Sequence, residues 1–181
     1  MLRLVALAAA TALLAGCTQS GPTSVPSDQS LPADAGGRVA TPVIVMPSGA
    51  SPATVNYVHD GDTLFLSTPS DANLKVRLLG IDTPEIGDNL ECYGDEATGL
   101  LRELLPEGTP VFTAADVEPL DQYGRSLLYL FTADGTSINL EMVARGAAEA
   151  VRIGENDAYW DQLSTAESIA TESAAGRWGA C

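Results

Sequence analysis

Between residues 54 and 132 five short stretches read as strands, the first three by period-two alternation, and only once, over 93–105, do the apolar side chains switch to a helical period. Residues 54–58 and 63–67 flank a tight Asp60-Gly61 bend. A polar turn follows, then 74–79, where Val76 and Leu78 alternate with Lys75 and Arg77. In 93–105 the residues Ala97, Leu100, Leu101, Leu104 and Leu105 share one helical face, with Asp95 and Glu96 in the first turn and Pro106 past the end. Strand spacing resumes over 111–117 and 126–132, separated by an acidic, glycine-containing loop. A short helix is expected over 139–145, capped by Asn139 and stopped at Gly146, and a last one over 159–174, ending at Gly176.

Five short strands with a helix inserted after the third predict an α+β, mainly β domain: a five-stranded barrel of the OB type carrying three helices. An apolar content of 45% over 181 residues supports one such core, placed at 53–181. The first 52 residues read differently. Arg3 precedes an apolar run from Leu4 to Leu14, too short for a permanent membrane span of about 20 residues, and 1–16 is read as a removable signal peptide.

Leu14-Ala15-Gly16-Cys17 further resembles a bacterial lipobox, which makes Cys17 the lipidated first residue of an exported protein anchored at the outer face of a membrane. Plain secretion is the alternative. Residues 17–52 hold six of the eleven prolines with many Ser, Thr, Gly and Ala, the composition of a disordered tether. Within it Val43-Ile44-Val45-Met46 is either a docked strand or an apolar patch in a linker. With Cys17 assigned to lipid, Cys92 and Cys181 remain in an oxidising compartment, where a disulfide between them is expected; two free thiols are the alternative.

Charge argues against an anionic partner. The chain has 24 acids against 9 bases, and residues 53–181 alone hold 22 acids against 7 bases, whereas a protein that grips phosphates by neutralisation is ordinarily basic. Local motifs argue the other way. His59-Asp60-Gly61-Asp62-Thr63 sets two carboxylates beside a glycine at a strand turn, and Ile81-Asp82-Thr83-Pro84-Glu85 sets two more after the third strand. Hard cations such as calcium favour oxygen clusters of this kind. Arg77 and Arg125 supply guanidinium forks suited to phosphate oxygens.

The ordered set Asp60-Gly61-Asp62-Thr63, Arg77-Leu78-Leu79, Asp82-Thr83-Pro84-Glu85, Tyr93-Gly94 and Tyr123-Gly124-Arg125 resembles the staphylococcal nuclease (thermonuclease) family over residues 53–178. The resemblance implies a calcium-dependent endonuclease, a hydrolase that cleaves phosphodiester bonds of DNA or RNA and leaves 3′-phosphates; a monomer is expected, with oligomeric state left open by the sequence. It implies Asp62 and Asp82 as direct calcium ligands, the Thr83 carbonyl as a third, and Asp60 in the outer shell. Glu85 would orient or deprotonate the attacking water. Arg77 and Arg125 would act as catalytic cations on opposite sides of the phosphate, and Tyr123 would bind substrate beside it. Two departures stand out: the family's tyrosines after the second helix fall on Arg152 and Gly154, and the lysine-rich loop after Glu85 shrinks to residues 86–92.

Other residues have plainer readings. His59 is taken as a strand residue, Trp160 and Trp178 as packing, and Glu149, Glu155, Asp157 and Asp161 as a solvated acidic face. Two non-enzymatic readings compete: a related barrel that binds nucleic acid without cutting it, and a calcium-binding surface module. Neither explains why both arginines accompany the full carboxylate set.

Overall fold

A computed structural model describes residues 40–181. The signal peptide (1–16), Cys17 and the first part of the tether lie outside the described residues. Among those described, no helix is long and apolar enough to cross a membrane.

Strands β1 (Ser51–Val58), β2 (Thr63–Ser67), β3 (Leu74–Leu78), β5 (Pro110–Ala114) and β6 (Ser126–Thr132) close into a barrel in the order β1-β2-β3-β6-β5. All neighbours are antiparallel except β3 and β6, which run parallel. Helix α1 (Gly94–Leu104) is inserted between β3 and β5, and α2 (Ile138–Ala144), α3 (Trp160–Glu172) and the short α4 (Arg177–Ala180) follow the barrel. The expected five-stranded α+β barrel with three principal helices is present. Two further short strands, β4 (Ile81–Asp82) and β7 (Glu149–Ala150), pair outside it.

Strand alternation puts Leu64, Leu66, Val76 and Leu78 in the core, each fully buried, whereas β6 is covered on both faces and buries every residue from Leu127 to Phe131. In β1 the phase changes. A bulge between Val55 and Tyr57 turns Val58 inward and leaves Tyr57 outside, stacked on Phe65.

Four sequence expectations shift. Residues 40–52 are not all tether: Ile44 is 4% exposed and packs into the core while Val43 and Val45 stay outside, and β1 already begins at Ser51. Met46 packs partly buried against the same core, and no strand forms at 43–46. β5 stops at Ala114 rather than 117, because the Asp116 carboxylate accepts from the Tyr129 hydroxyl and the Ala158 N–H and draws the chain off the barrel.

Asn139 does not cap α2. Ser137 does, its hydroxyl accepting from the Leu140 N–H, while Asn139 is fully buried with its carbonyl accepting from the Leu130 N–H at 2.9 Å and its amide donating to the Leu79 carbonyl at 2.7 Å. The buried amide thus satisfies two backbone groups that would otherwise lie unpaired beside the barrel. Lastly, Glu149 is no free surface acid: it pairs with Arg177 at 2.6 Å.

Cys92 and Cys181 are joined in the structure, with Cα atoms 6.1 Å apart.

Candidate active site

The turn between β1 and β2 is built by Asp60. Its Oδ1 accepts from the Asp62 and Thr63 N–H groups at 3.0 and 2.7 Å, which folds the chain back and commits that oxygen to the backbone. Gly61 is needed because a Cβ there would stand 2.6 Å from Thr83 Oγ1. The turn and the loop after β4 are therefore pressed together.

That contact buries Asp62. Its Oδ2 accepts from the Thr83 N–H at 3.1 Å and the Thr83 hydroxyl at 3.2 Å, and its Oδ1 accepts from Thr63 Oγ1 at 3.1 Å. Arg77, on β3 and 7% exposed, reaches both carboxylates with one nitrogen: NH2 lies 3.2 Å from Asp62 Oδ2 and 2.6 Å from Asp82 Oδ1. Its NH1 donates to the Leu78 and Ile81 carbonyls, each at 2.7 Å. Four acceptors fix the guanidinium before any substrate arrives.

Arg125 enters just before β6, and the parallel pairing of β6 with β3 carries it to Thr63, whose hydroxyl is 3.5 Å from NH1. Asp121 steers it. Burial pushes the Asp121 carboxyl up, but the Arg125 backbone and side chain and the Tyr123 N–H outweigh this and hold it below its ordinary value.

Asp60, Asp62, Arg77, Asp82, Thr83, Glu85 and Arg125 line one cleft of about 240 Å³, together with Thr63 and Pro84. Tyr123 is the one expected site residue outside this lining. It is 75% exposed, its ring 5.6 Å from the Arg125 guanidinium carbon. Asp121 was not singled out in the sequence, although the Asp121-x-Tyr123-x-Arg125 spacing is that of an aspartate turn followed by a charge pair.

Four carboxylates face two guanidiniums here, so the cleft carries a formal charge of about −2. Burial pushes the Asp62 pKa up to about 6 against the opposing pull of Arg77, and the neighbouring Asp60 and Asp82 add to the rise. Among the described residues no three acidic, histidine or cysteine side chains converge on a common point. A cation would thus take two carboxylates, Asp62 and Asp82, and complete its shell with backbone oxygen and water. An all-oxygen donor set with surplus negative charge fits a hard divalent ion and leaves nothing soft for zinc or copper.

Neither Arg152 nor Gly154 lines the cleft. Arg152 stacks 4.6 Å from the Trp160 ring, and a Cβ on Gly154 would overlap the Glu118 carboxylate.

Comparison with known proteins assigns the chain to a family. The family model described as staphylococcal nuclease homologue matches residues 75–180. Thermonuclease of Staphylococcus intermedius is 31% identical over 127 residues, covering 68% of this chain and 74% of the relative. Endonuclease YhcR of Bacillus subtilis (strain 168) is 30% identical over 134 residues, or 68% of this chain, and Endonuclease YncB of the same organism is 30% identical over 129, or 69%. The match spans only 11% of YhcR and 60% of YncB. With the family model covering more than half of its length, this chain belongs to the staphylococcal nuclease homologue family.

Proposed function

We propose that this protein is an exported, calcium-dependent endonuclease that hydrolyses phosphodiester bonds of DNA or RNA and leaves 3′-phosphates. The observation that carries the reading is the convergence of Asp62, Arg77, Asp82, Glu85 and Arg125 on one acidic cleft. The relatives' names, Thermonuclease and Endonuclease, point the same way.

Asp62 and Asp82 would hold the calcium ion with the Thr83 carbonyl, and Asp60 would brace the turn from the outer shell. When bound, the ion supplies Lewis-acid polarisation of the phosphate. Glu85 faces the water whose oxygen bonds to phosphorus as the bond to the 5′ oxygen breaks; the 5′ oxygen leaves as a hydroxyl, taking up a proton. Arg77, already held by four acceptors, presents charge with little reorganisation as the pentacoordinate state forms. Arg125, oriented by Asp121, holds the phosphate from the opposite wall, and Tyr123 lies at the rim where the nucleotide would leave the cleft.

Export rests on the sequence: an apolar leader, Cys17 in a lipobox, and a cysteine pair suited to an oxidising compartment. We infer a monomer anchored at the outer face of a membrane. Release of acid-soluble nucleotides from denatured DNA and from RNA, with calcium and with chelator, tests the activity, and end analysis of the fragments tests the 3′-phosphate. Cleavage indifferent to chelator would refute the calcium reading. Detergent partitioning lost in Cys17→Ser tests the anchor.

A further inference from the structure

We propose that Glu91 is a positioning residue for Glu85, and that the C-terminal segment 177–181 holds it in place through the Cys92–Cys181 bridge. This rests on Glu85 working in the cleft as proposed above.

The loop between β4 and α1 has almost no anchor of its own. The turn Gly87–Asn89 buries no residue, and Glu85 and residues 87–92 are exposed. What holds Glu85 is Glu91, from both sides: the Glu85 N–H donates to Glu91 Oε2 at 3.1 Å and the Glu91 N–H donates to the Glu85 carbonyl at 2.9 Å. The Glu91 carbonyl in turn accepts from the Gly94 N–H at 3.1 Å. Gly94 has no Cβ because one there would overlap the Glu85 carbonyl oxygen, so α1 begins pressed against this clamp.

The residue after Glu91 is Cys92, and its sulfur ties the clamp to Cys181. The C-terminal turn is itself pinned to the site's other edge. The Cys181 N–H donates to the Arg177 carbonyl at 2.9 Å, and the Arg177 N–H to the Gly146 carbonyl at 2.9 Å. The Arg177 guanidinium grips Glu149 at 2.6 Å, and Glu149 is the β7 partner of Asp82 on β4. Asp82 and Glu85 are thus held at opposite ends of one loop by the same five-residue segment.

A group facing the attacking water loses rate steeply when displaced: about 1 Å can cost up to roughly a hundredfold. Loosening the clamp therefore lowers kcat and leaves KM and calcium binding nearly alone, since Asp62 sits in the β1–β2 turn, Asp82 stays paired with Glu149 through β4 and β7, and Arg125 is held by Asp121.

The test uses the full mature protein at a temperature well below every variant's melting point. Glu91→Ala is expected to lower kcat about tenfold, with KM and the calcium midpoint within about twofold of wild type. Glu91→Gln keeps an acceptor for the Glu85 N–H and is expected to stay within about twofold of wild type in kcat. The Cys92→Ser, Cys181→Ser double variant should resemble Glu91→Ala. Hydrogen exchange at the Glu85 amide supplies a readout independent of cleavage and should quicken in Glu91→Ala and in the double cysteine variant but not in Glu91→Gln. Unchanged kcat in Glu91→Ala, or unchanged exchange at Glu85, overturns the proposal. If the wild-type protein does not cleave, the endonuclease reading fails separately, and the exchange measurement alone decides whether the clamp exists.

Discussion

Asp121 grips Arg125 at both its main chain and its side chain: Oδ1 accepts from the Arg125 N–H at 2.9 Å and Oδ2 from Nε at 2.6 Å. The remaining guanidinium nitrogens are left to face the cleft. Asp121→Ala should lower kcat/KM about tenfold or more by freeing the arginine's rotamers, with a smaller loss in Asp121→Asn, which keeps one acceptor. Steady-state kinetics on a defined oligonucleotide checks this. Equal activity in Asp121→Ala would mean that Arg125 needs no orienting partner.

Arg77 and Glu85 are expected to act chiefly in the transition state. Arg77→Ala and Glu85→Ala should each cost at least about a hundredfold in turnover. Arg77→Ala should also lower the melting temperature, because it leaves buried Asp62 without its cationic partner. Glu85 is exposed, so its variant should melt like wild type. Single-turnover cleavage beside thermal melts separates the two effects.

Asp62 should make the proposed calcium binding pH-dependent. Its folded pKa is raised from 3.8 to about 6, so the folded state holds the proton more tightly than the unfolded chain. Metal-free stability should therefore fall as pH rises from about 4 to about 6 and level off above, a loss of order 3 kcal/mol. Calcium affinity should rise over the same window as the proton is displaced. In Asp62→Asn the amide oxygen can still accept from Thr83 without carrying charge. Its metal-free melting temperature at pH 8 should rise while calcium-induced stabilisation is lost. Melting curves against pH, with and without calcium, decide it, and an unchanged profile in the variant counts against Asp62 as the titrating group.

Salt should affect binding weakly. Two arginines assigned to phosphate give a slope of about −1.4 in log K against log salt on a single strand, and screening of the 22 acids in residues 53–181 opposes it. At saturating calcium, affinity for single-stranded DNA should stay nearly flat between 50 and 200 mM salt. A thousandfold drop over that range would reveal many phosphate contacts beyond Arg77 and Arg125.

Asn139 is a structural cross-link rather than a cap. Asn139→Leu should destabilise by about 2–4 kcal/mol by leaving the Leu130 N–H and the Leu79 carbonyl buried and unpaired. A cap substitution, Ser137→Ala, should cost only about 1 kcal/mol. Denaturant midpoints that rank the two the other way would restore Asn139 to the role its sequence position suggested.

What the sequence determined by itself was local. Period-two and helical patterns mark the first three barrel strands and three helices, because an element that buries one face has apolar residues recurring at its own repeat, and runs of β-forming residues mark the other two strands. The ordered motifs also brought Asp62, Arg77, Asp82, Glu85 and Arg125 forward as one set, and the cleft contains them all. Only the tertiary structure decided which groups hold those residues in place. That Asp121 orients Arg125, that Glu91 brackets Glu85, that Asn139 spans Leu79 and Leu130, and that Ile44 belongs to the core depend on closures between distant segments. A single acid, amide or aliphatic side chain carries no periodicity, so its partner becomes visible only when barrel closure and the parallel β3–β6 seam bring the two together.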